Sequence, residues 1–244
     1  MMSPFDKIAS SLISFRLPLS KKAMNLEQAR VNMIEQQIRT WDVLDHDVLK
    51  TLVAVRREAF VPAAYQALAF VDTEIPLPGG ENMLSPKLEA RLLQEAAIND
   101  TESVLEIGTG SGYMAALLAH HARHVTSIEI LPELKALAEK NLAGYGVANV
   151  NVELGNGAQG WGGSGTRAAP WNVIMISGAL PVLPRVFLEQ LSIGGRLLAI
   201  IGEAPVMSAC LFTRTAQDAW SETKLFETCI KPLRDAEAPS SFHF

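Results

Sequence analysis

Apolar and polar positions change period several times along the chain, and the changes predict strands alternating with helices. Residues 104–107 form a short apolar run with one acid, which is the pattern of a buried parallel strand. The stretch 113–121 that follows is rich in Ala and Leu and predicts a helix. The same reasoning predicts strands at 125–129, 150–154, 173–176 and 195–201, with helices at 131–145 and 183–191 between them. This alternation predicts an α/β fold: a doubly wound, mostly parallel, Rossmann-like sheet with right-handed crossovers.

The two ends of the chain have different patterns. Apolar side chains at helical spacing predict helices at 26–40 and 45–55, the second with Asp45 as its N-cap. A third helix is predicted at 86–97, with Ser85 as its N-cap and proline at its first position. We therefore expect a helical cap over residues 24–100 and a sheet over 101–244, within one domain. The closing strands at 210–214 and 225–230 are predicted to form an antiparallel pair.

Three glycines break the first predicted strand of the sheet. Gly108, Gly110 and Gly112 stand at alternate positions directly before the helix 113–121. Glycine permits a tight turn and lets a ligand approach bare backbone, and the turn presents unpaired N–H groups at a helix N-terminus. The loop is therefore a candidate binding site for a nucleotide-like ligand.

The spacing and charge of this loop separate two kinds of ligand. A dinucleotide-binding loop has the spacing G-x-G-x-x-G, whereas this one has G-x-G-x-G, with Tyr113 where the third glycine would be needed. Glu106 lies in the strand beside the loop, where a carboxylate repels a pyrophosphate and attracts a cation. A cationic ligand fits this stretch better than a dinucleotide.

A second acid strengthens that interpretation. Glu129 ends the next predicted strand, seventeen residues after Gly112, where it could accept hydrogen bonds from both ribose hydroxyls. Together, Glu106, the glycine loop and Glu129 resemble motif I of the class I S-adenosylmethionine-dependent methyltransferases. The resemblance implies S-adenosyl-L-methionine as cofactor, with its methionine half at Glu106 and the glycines and its ribose at Glu129. The implied cofactor-binding residues are Glu106, Gly108, Thr109, Gly110, Gly112, Glu129, Ile130, Asn156 and Gly157.

Composition narrows the possible partners and compartment. The 244 residues carry a net charge of −5 and a pI near 5.6, which disfavours nonspecific binding to nucleic acid or to an anionic membrane. No apolar run approaches the ~20 residues of a membrane helix. Cys210 and Cys229 are too few for a disulfide framework, so we expect reduced thiols and a cytoplasmic protein. The five histidines show no ligand spacing, and no metal is predicted.

The first 23 residues differ from the rest of the chain. They are basic and serine-rich, with a single acid, as in a transit peptide. An upstream start codon or a loose terminal arm explains the same composition, with Met24 as the natural beginning. We expect residues 1–23 to form a loose terminal arm.

Methyl transfer from a sulfonium to a carboxylate makes few demands on side chains. An ionised carboxylate is already a nucleophile at neutral pH, because its unperturbed pKa lies near 4. The protein needs to supply alignment and to exclude water, and it needs no general base. A Ser-His-Asp arrangement or a reactive cysteine is therefore not expected.

Several blocks outside motif I resemble one family, the protein-L-isoaspartate (D-aspartate) O-methyltransferases. The blocks are residues 33–38, 57–62, Asp72, Pro76, 106–113, 155–157, 160–161 and 191–196. The resemblance implies esterification of the misplaced α-carboxylate of isoaspartyl residues in damaged proteins, which begins their repair through a succinimide. Isoaspartyl-containing proteins or peptides are thus the implied partners.

The acceptor side departs from the family pattern. Anchoring the loop on Pro76 and Pro86 places Leu84 at a serine that the family uses on the substrate side, and Ser85 one residue later. A leucine side chain cannot donate a hydrogen bond, and a hydrogen bond to a charged group is worth roughly 1.5–3 kcal/mol. Either the loop shifts so that Ser85 serves as the catalytic residue, or the substrate differs. Ser85 is equally well explained as a plain N-cap.

Two other positions bear on the implied site. Asn156 stands where the family has aspartate, and its amide can still bind the adenine edge. Ser177 lies where the family lines the floor of the acceptor site. Three functions remain open: an isoaspartyl methyltransferase, an offshoot that methylates another carboxylate or a small molecule, and a cofactor-binding module without turnover.

Overall fold

The computed structural model describes residues 21–165 and 167–237, and its N-terminal part is helical. Helix α1 is Lys21–Met33, and it continues through a π-helical turn, Ile34–Ile38, into a 3-10 turn, Arg39–Trp41. Helix α2 is His46–Ala54. Asp45 caps it, accepting hydrogen bonds from the N–H groups of Asp47 and Val48 at 2.8 and 3.1 Å. Both predicted helices are confirmed, but α1 begins inside the predicted arm, whose residues 1–20 lie outside the described ones.

The remaining helices follow the prediction with one exception. They are α3, Pro86–Ala96; α4, Tyr113–His121; α5, Pro132–Tyr145; and α6, Arg185–Glu189. Helix α6 is five residues long, shorter than the predicted 183–191, because the next strand already begins at the fully buried Leu191. Short 3-10 turns occupy Arg57–Ala59, Ala63–Leu68 and Pro78–Gly80.

Seven strands form the main sheet. They are β1, Ser103–Ile107; β2, His124–Glu129; β3, Val150–Leu154; β4, Trp171–Leu180; β5, Leu191–Glu203; β6, Val206–Ala216; and β7, Ala219–Thr228. Their order is β7-β6-β5-β4-β1-β2-β3. Strands β1 to β5 are parallel to one another, whereas β6 is antiparallel to β5 and to β7. The doubly wound, mostly parallel sheet with a closing antiparallel pair is confirmed.

Several strand boundaries differ from the prediction. Strands β4 and β5 extend beyond 173–176 and 195–201, because hydrogen bonding to neighbouring strands continues past the apolar runs. Two-residue strands also pair outside the main sheet: Ile75–Pro76 with Asn82–Met83, in a segment predicted as a loop, and Gly163–Ser164 with Arg167–Ala168. Among the described residues, no helix combines the length and apolarity needed to cross a membrane.

The sheet is packed on both faces. In β1, Val104 faces a large core that includes residues of α1 to α5, while Leu105 and Ile107 face a second core that includes α6. Alternate residues of a strand point to opposite faces, so Glu106 shares the face of Val104. The first core joins the helical cap to the sheet, which fixes the segment before α3 against the carboxyl end of β1.

Candidate functional site

The glycine loop lies at the point where the strand order reverses. Strand β1 is paired with β2 on one side and β4 on the other, with Ile107 beside both Ile128 and Ile176. Ligands of doubly wound sheets bind at the carboxyl ends of the strands at this point. The loop leaves β1 in the left-handed region, with φ of 93° at Gly108 and 56° at Gly110. Both glycines line a cavity there, and so expose bare backbone.

The cavity is open to solvent, and the empty space in it, counted together with part of that solvent at its mouth, amounts to about 700 Å³. Four segments form its walls: the glycine loop, the segment before α3, the loops after β2 and β3, and the chain after β7. Its lining residues are Glu74, Glu81, Asn82, Leu84, Ile107, Gly108, Gly110, Ile128, Glu129, Ile130, Leu134, Gly155, Asn156, Gly157, Ala158, Ser177, Gly178, Lys231, Pro232, Leu233 and Arg234. Apart from Glu129 and the backbone, the buried part of the wall is apolar, and its exposed charges are Lys231 and Arg234.

Most of the residues singled out in the sequence meet at this cavity. Those that line it are Leu84, Gly108, Gly110, Glu129, Ile130, Asn156, Gly157 and Ser177. Glu106, Thr109, Gly112 and Ser85 are not among the lining residues. Gly112 has a packing role, since a Cβ there would lie 3.3 Å from Ala138 of α5. A direct contact between these four residues and a ligand stays a prediction.

Glu129 fastens the glycine loop. Its side chain is almost fully buried, and its two oxygens accept hydrogen bonds from the N–H groups of Gly110 at 2.8 Å and Leu131 at 3.0 Å. Burial raises the pKa of the Glu129 carboxyl, and these backbone hydrogen bonds oppose that rise. Each carboxylate oxygen has a second lone pair, so Glu129 can still accept from a diol in the cavity.

Glu106 lies behind the cavity wall. It is fully buried and accepts hydrogen bonds from the hydroxyls of Ser127 at 2.5 Å and Ser177 at 3.2 Å. Thr109 extends this network, with its hydroxyl 2.6 Å from that of Ser127. Burial raises the pKa of Glu106 to about 8, and the neighbouring Glu129 and Glu89 add to the rise. A pKa raised to about 8 favours the protonated carboxyl at neutral pH, unlike the ionised group that the sequence suggested.

A buried ion pair lies beside the segment before α3 and fixes its backbone. Arg57 and Glu89 contact each other with side chains 0% and 3% exposed. Arg57 also donates from Nη2 to the carbonyl oxygen of Leu84 at 2.7 Å, which fixes the backbone there. Burial raises the pKa of Glu89 to about 7, against the opposing effect of Arg57. Sequence patterns gave no sign of this pair, because Arg57 and Glu89 lie 32 residues apart on different elements.

Leu84 and Ser85 take different positions. The Leu84 side chain is buried in the wall of the cavity, at 7% exposure. Ser85 occupies the N-cap position of α3, as predicted, but its side chain makes no capping hydrogen bond. In this structure the loop has not shifted to bring Ser85 into the cavity.

The chain after β7 supplies a wall that the sequence did not predict. Ala179 of β4 donates to the carbonyl of Lys231 at 3.0 Å and accepts from the N–H of Leu233 at 2.9 Å, which adds this segment to the end of the sheet. Lys231 and Arg234 form ion pairs with Glu81 at 3.0 and 2.6 Å. The segment thereby bridges to the opposite lip of the cavity.

Both polar atoms of the Asn156 side-chain amide make hydrogen bonds. Its Oδ1 accepts from the N–H of Ala158, and its Nδ2 donates to Asp235, both at 3.0 Å. Asp235 has a left-handed φ of 56°. The same C-terminal segment therefore contacts the loop after β3 as well as Glu81, and an adenine at Asn156 would lie beside it.

Comparison with known proteins gives a consistent result. The family model described as protein-L-isoaspartate(D-aspartate) O-methyltransferase matches residues 28–238. A protein-L-isoaspartate O-methyltransferase of Koribacter versatilis is 36% identical over 84% of this chain and 90% of its own. Protein-L-isoaspartate O-methyltransferase 1 of Rhodopseudomonas palustris is 37% identical over 88% of this chain and 87% of its own.

Two solved structures share the fold. One is a protein-L-isoaspartate O-methyltransferase with a TM-score of 0.71 and 23% identity, matched over 85% of this chain and 65% of that one. The other is a Plasmodium falciparum protein solved with S-adenosyl-L-homocysteine, with a TM-score of 0.70 and 17% identity, matched over 85% and 97% of the two chains. At these identities the likeness supports the α/β architecture.

Proposed function

Because the chain belongs to the protein-L-isoaspartate(D-aspartate) O-methyltransferase family, we propose that it methylates the misplaced α-carboxylate of L-isoaspartyl residues, and the corresponding carboxylate of D-aspartyl residues, in damaged proteins. S-adenosyl-L-methionine is the methyl donor, and the role is protein repair. The observation that carries the proposal is the cavity at the reversal of strand order, walled by the glycine loop, Glu129 and the segment before α3. The free thiols of Cys210 and Cys229 suit a cytoplasmic location.

The residues present fit this donor. Gly108 and Gly110 offer a concave stretch of backbone, and a Cβ at Gly110 would also approach Leu77 to 3.3 Å. Glu129 provides acceptors for the ribose hydroxyls beside that stretch. Gly157 and Asn156 line the cavity beyond the end of β3, where the adenine is expected. Glu106, Thr109 and Gly112 support the loop from behind.

The chain's contribution to the reaction is placement of both reactants beside apolar side chains. When bound, the cofactor supplies an electrophilic methyl group on a sulfonium. Such a donor would supply this methyl group to an acceptor carboxylate, and the transfer would neutralise the positive charge of one and the negative charge of the other. Leu84, Leu134 and Leu233 line the cavity with apolar surface, and less water beside the reactants favours a step that neutralises opposite charges. The Arg57 contact to the Leu84 carbonyl holds the acceptor segment at a fixed distance from the glycine loop.

Transfer of a radiolabelled methyl group to an isoaspartyl peptide tests the proposal. The control is the same peptide with a normal aspartyl linkage. We expect label in the first peptide and none in the second. Binding of S-adenosylhomocysteine without transfer to any acceptor would instead indicate a cofactor-binding module.

One observation favours a second candidate, an offshoot that methylates another carboxylate. Leu84 places an apolar side chain where the family has a substrate-side serine. Label that enters a cell lysate but not the isoaspartyl peptide would select this candidate over the first.

A further inference from the structure

The side-chain hydrogen-bond donors that line the cavity differ in the partners that they already bind. Among the described lining residues, the side-chain donors are Asn82, Asn156, Ser177, Lys231 and Arg234. Asn82 donates to Glu74 at 2.9 Å, and Asn156 to Asp235 at 3.0 Å. The two cations bind Glu81 at the exposed mouth. Four of the five donors therefore already bind acidic side chains that are partly or fully exposed.

Ser177 differs from these four in place and in partner. It follows Ile176, which pairs with Ile107, so it stands beside Gly108 at the end of β1. A Cβ at Gly108 would lie 3.6 Å from the Cβ of Ser177. Of the described residues that line the cavity, Ser177 alone carries a hydroxyl. Ser177 therefore lies next to the backbone proposed to hold the methyl donor, and its hydroxyl at present points to Glu106.

The present hydrogen bond of Ser177 is the longer of the two that Glu106 accepts from serine hydroxyls. Ser177 donates to Glu106 at 3.2 Å, while Ser127 donates to the other oxygen of Glu106 at 2.5 Å. If the Ser177 hydroxyl turns towards the cavity, Glu106 keeps the shorter of its two hydrogen bonds. A bound carboxylate offers a charged acceptor, and hydrogen bonds to charged acceptors are stronger than those between neutral groups.

We propose that Ser177 anchors the acceptor carboxylate by donating a hydrogen bond to one of its oxygens, which leaves the other oxygen to attack the methyl group. This assignment rests on the proposed function and names the residue that determines acceptor binding. Leu84 forms the apolar wall beside the acceptor and supplies no hydrogen bond. The donor thus comes from the end of β4 rather than from the segment before α3.

Steady-state methylation of an isoaspartyl peptide by Ser177→Ala tests the assignment. Losing one hydrogen bond to a charged group is expected to raise the KM for the peptide about 10- to 150-fold, with a smaller effect on kcat. Ser177→Thr keeps a hydroxyl and is expected to restore most of the affinity. Ser221→Ala, an exposed serine on β7, is the matched control and leaves the KM unchanged.

Calorimetry with S-adenosylhomocysteine separates folding from acceptor binding. Ser177→Ala is expected to bind it as the wild type does. An unchanged KM in that folded variant, or an equal loss in Ser177→Thr, would overturn the assignment.

The proposed function is judged separately, by the wild type. If the wild type does not label the peptide, the peptide is titrated onto wild type and Ser177→Ala, each loaded with S-adenosylhomocysteine. Tighter binding by the wild type would uphold the role of Ser177 although turnover had failed. Equal binding, or none, would overturn it.

Discussion

At the scale of single residues, the site depends on positions where the backbone itself is the contact surface. Gly110 combines a left-handed φ, an N–H held by Glu129 and a place in the cavity wall. A side chain there would project beside Leu77 and strain the backbone. The position thus requires glycine for both its conformation and its contact.

Gly110→Val is expected to weaken binding of S-adenosylhomocysteine by at least 10- to 100-fold, since about 1–3 kcal/mol of backbone strain adds to the steric block. Isothermal calorimetry measures the change. Gly144→Ala is the control, because Gly144 lies in α5 with open space around its Cβ position. If Gly110→Val binds S-adenosylhomocysteine as tightly as the wild type does, the glycine loop is not part of the ligand site.

Glu106 makes a pH-dependent contribution to stability. Its pKa is raised from 4.5 in the unfolded chain to about 8 in the folded one, so the folded state binds the extra proton. Stability from this group is therefore present below pH 4.5 and is lost as pH rises towards 8. Glu106→Gln removes this titration.

The stability of Glu106→Gln relative to wild type should accordingly increase between about pH 5 and 8 and level off above that range. Urea unfolding at several pH values measures the difference, and Glu89 titrates in both proteins. A difference that does not vary with pH would show that Glu106 is ionised throughout.

At the scale of elements, the helical cap contributes to the site through the buried pair Arg57–Glu89. Removing one partner of a buried ion pair leaves an uncompensated charge, which costs about 3–5 kcal/mol. Glu89→Ala should therefore lower the free energy of unfolding by that amount. Glu189→Ala breaks the exposed pair with Arg185 on α6 and should change it by less than about 1 kcal/mol. Chemical denaturation compares the two, and equal small effects would contradict the role assigned to the buried pair.

The C-terminal segment and the loop after β3 form the second inter-element contact of the site. Asn156→Asp would place a carboxylate against Asp235, where like charges repel by about 1 kcal/mol in water. We expect lower thermal stability and weaker binding of S-adenosylhomocysteine, both recovered in the double variant Asn156→Asp with Asp235→Asn. If Asn156→Asp bound more tightly, as a simple return to the family residue would suggest, the contact would have no role in binding.

At the scale of the whole molecule, periodicity identified the sheet and the glycine loop but not the walls that complete the site. Strands such as β1 and β2 are apolar runs whose burial dictates their structure. By contrast, Arg57–Glu89, Glu81–Arg234 and Asn156–Asp235 join residues distant in sequence, and no local pattern reports such pairs. The sequence suggested an ionised Glu106 for the same reason. The burial that raises its pKa is a property of the assembled fold.

Ligand binding should stabilise the molecule as one unit, because the cavity joins the cap, the sheet and the C-terminal segment. S-adenosylhomocysteine at 100 times its Kd adds about 2.7 kcal/mol, which corresponds to a rise in Tm of roughly 5–10 °C for a chain of this size. NADH at the same concentration is expected to give no shift, since the loop lacks the dinucleotide spacing. Differential scanning calorimetry measures the Tm. A rise in Tm with NADH but not with S-adenosylhomocysteine would indicate that the loop binds a dinucleotide instead.

The wall formed by Lys231–Arg234 also determines the stage of folding at which the site becomes complete. These residues are synthesised after all seven strands, and they dock on β4 and on the Glu81 lip only once both are in place. An incompletely folded or newly emerging chain therefore has a cavity that lacks one side. Retention on immobilised S-adenosylhomocysteine would then select molecules whose last segment has reached its final position.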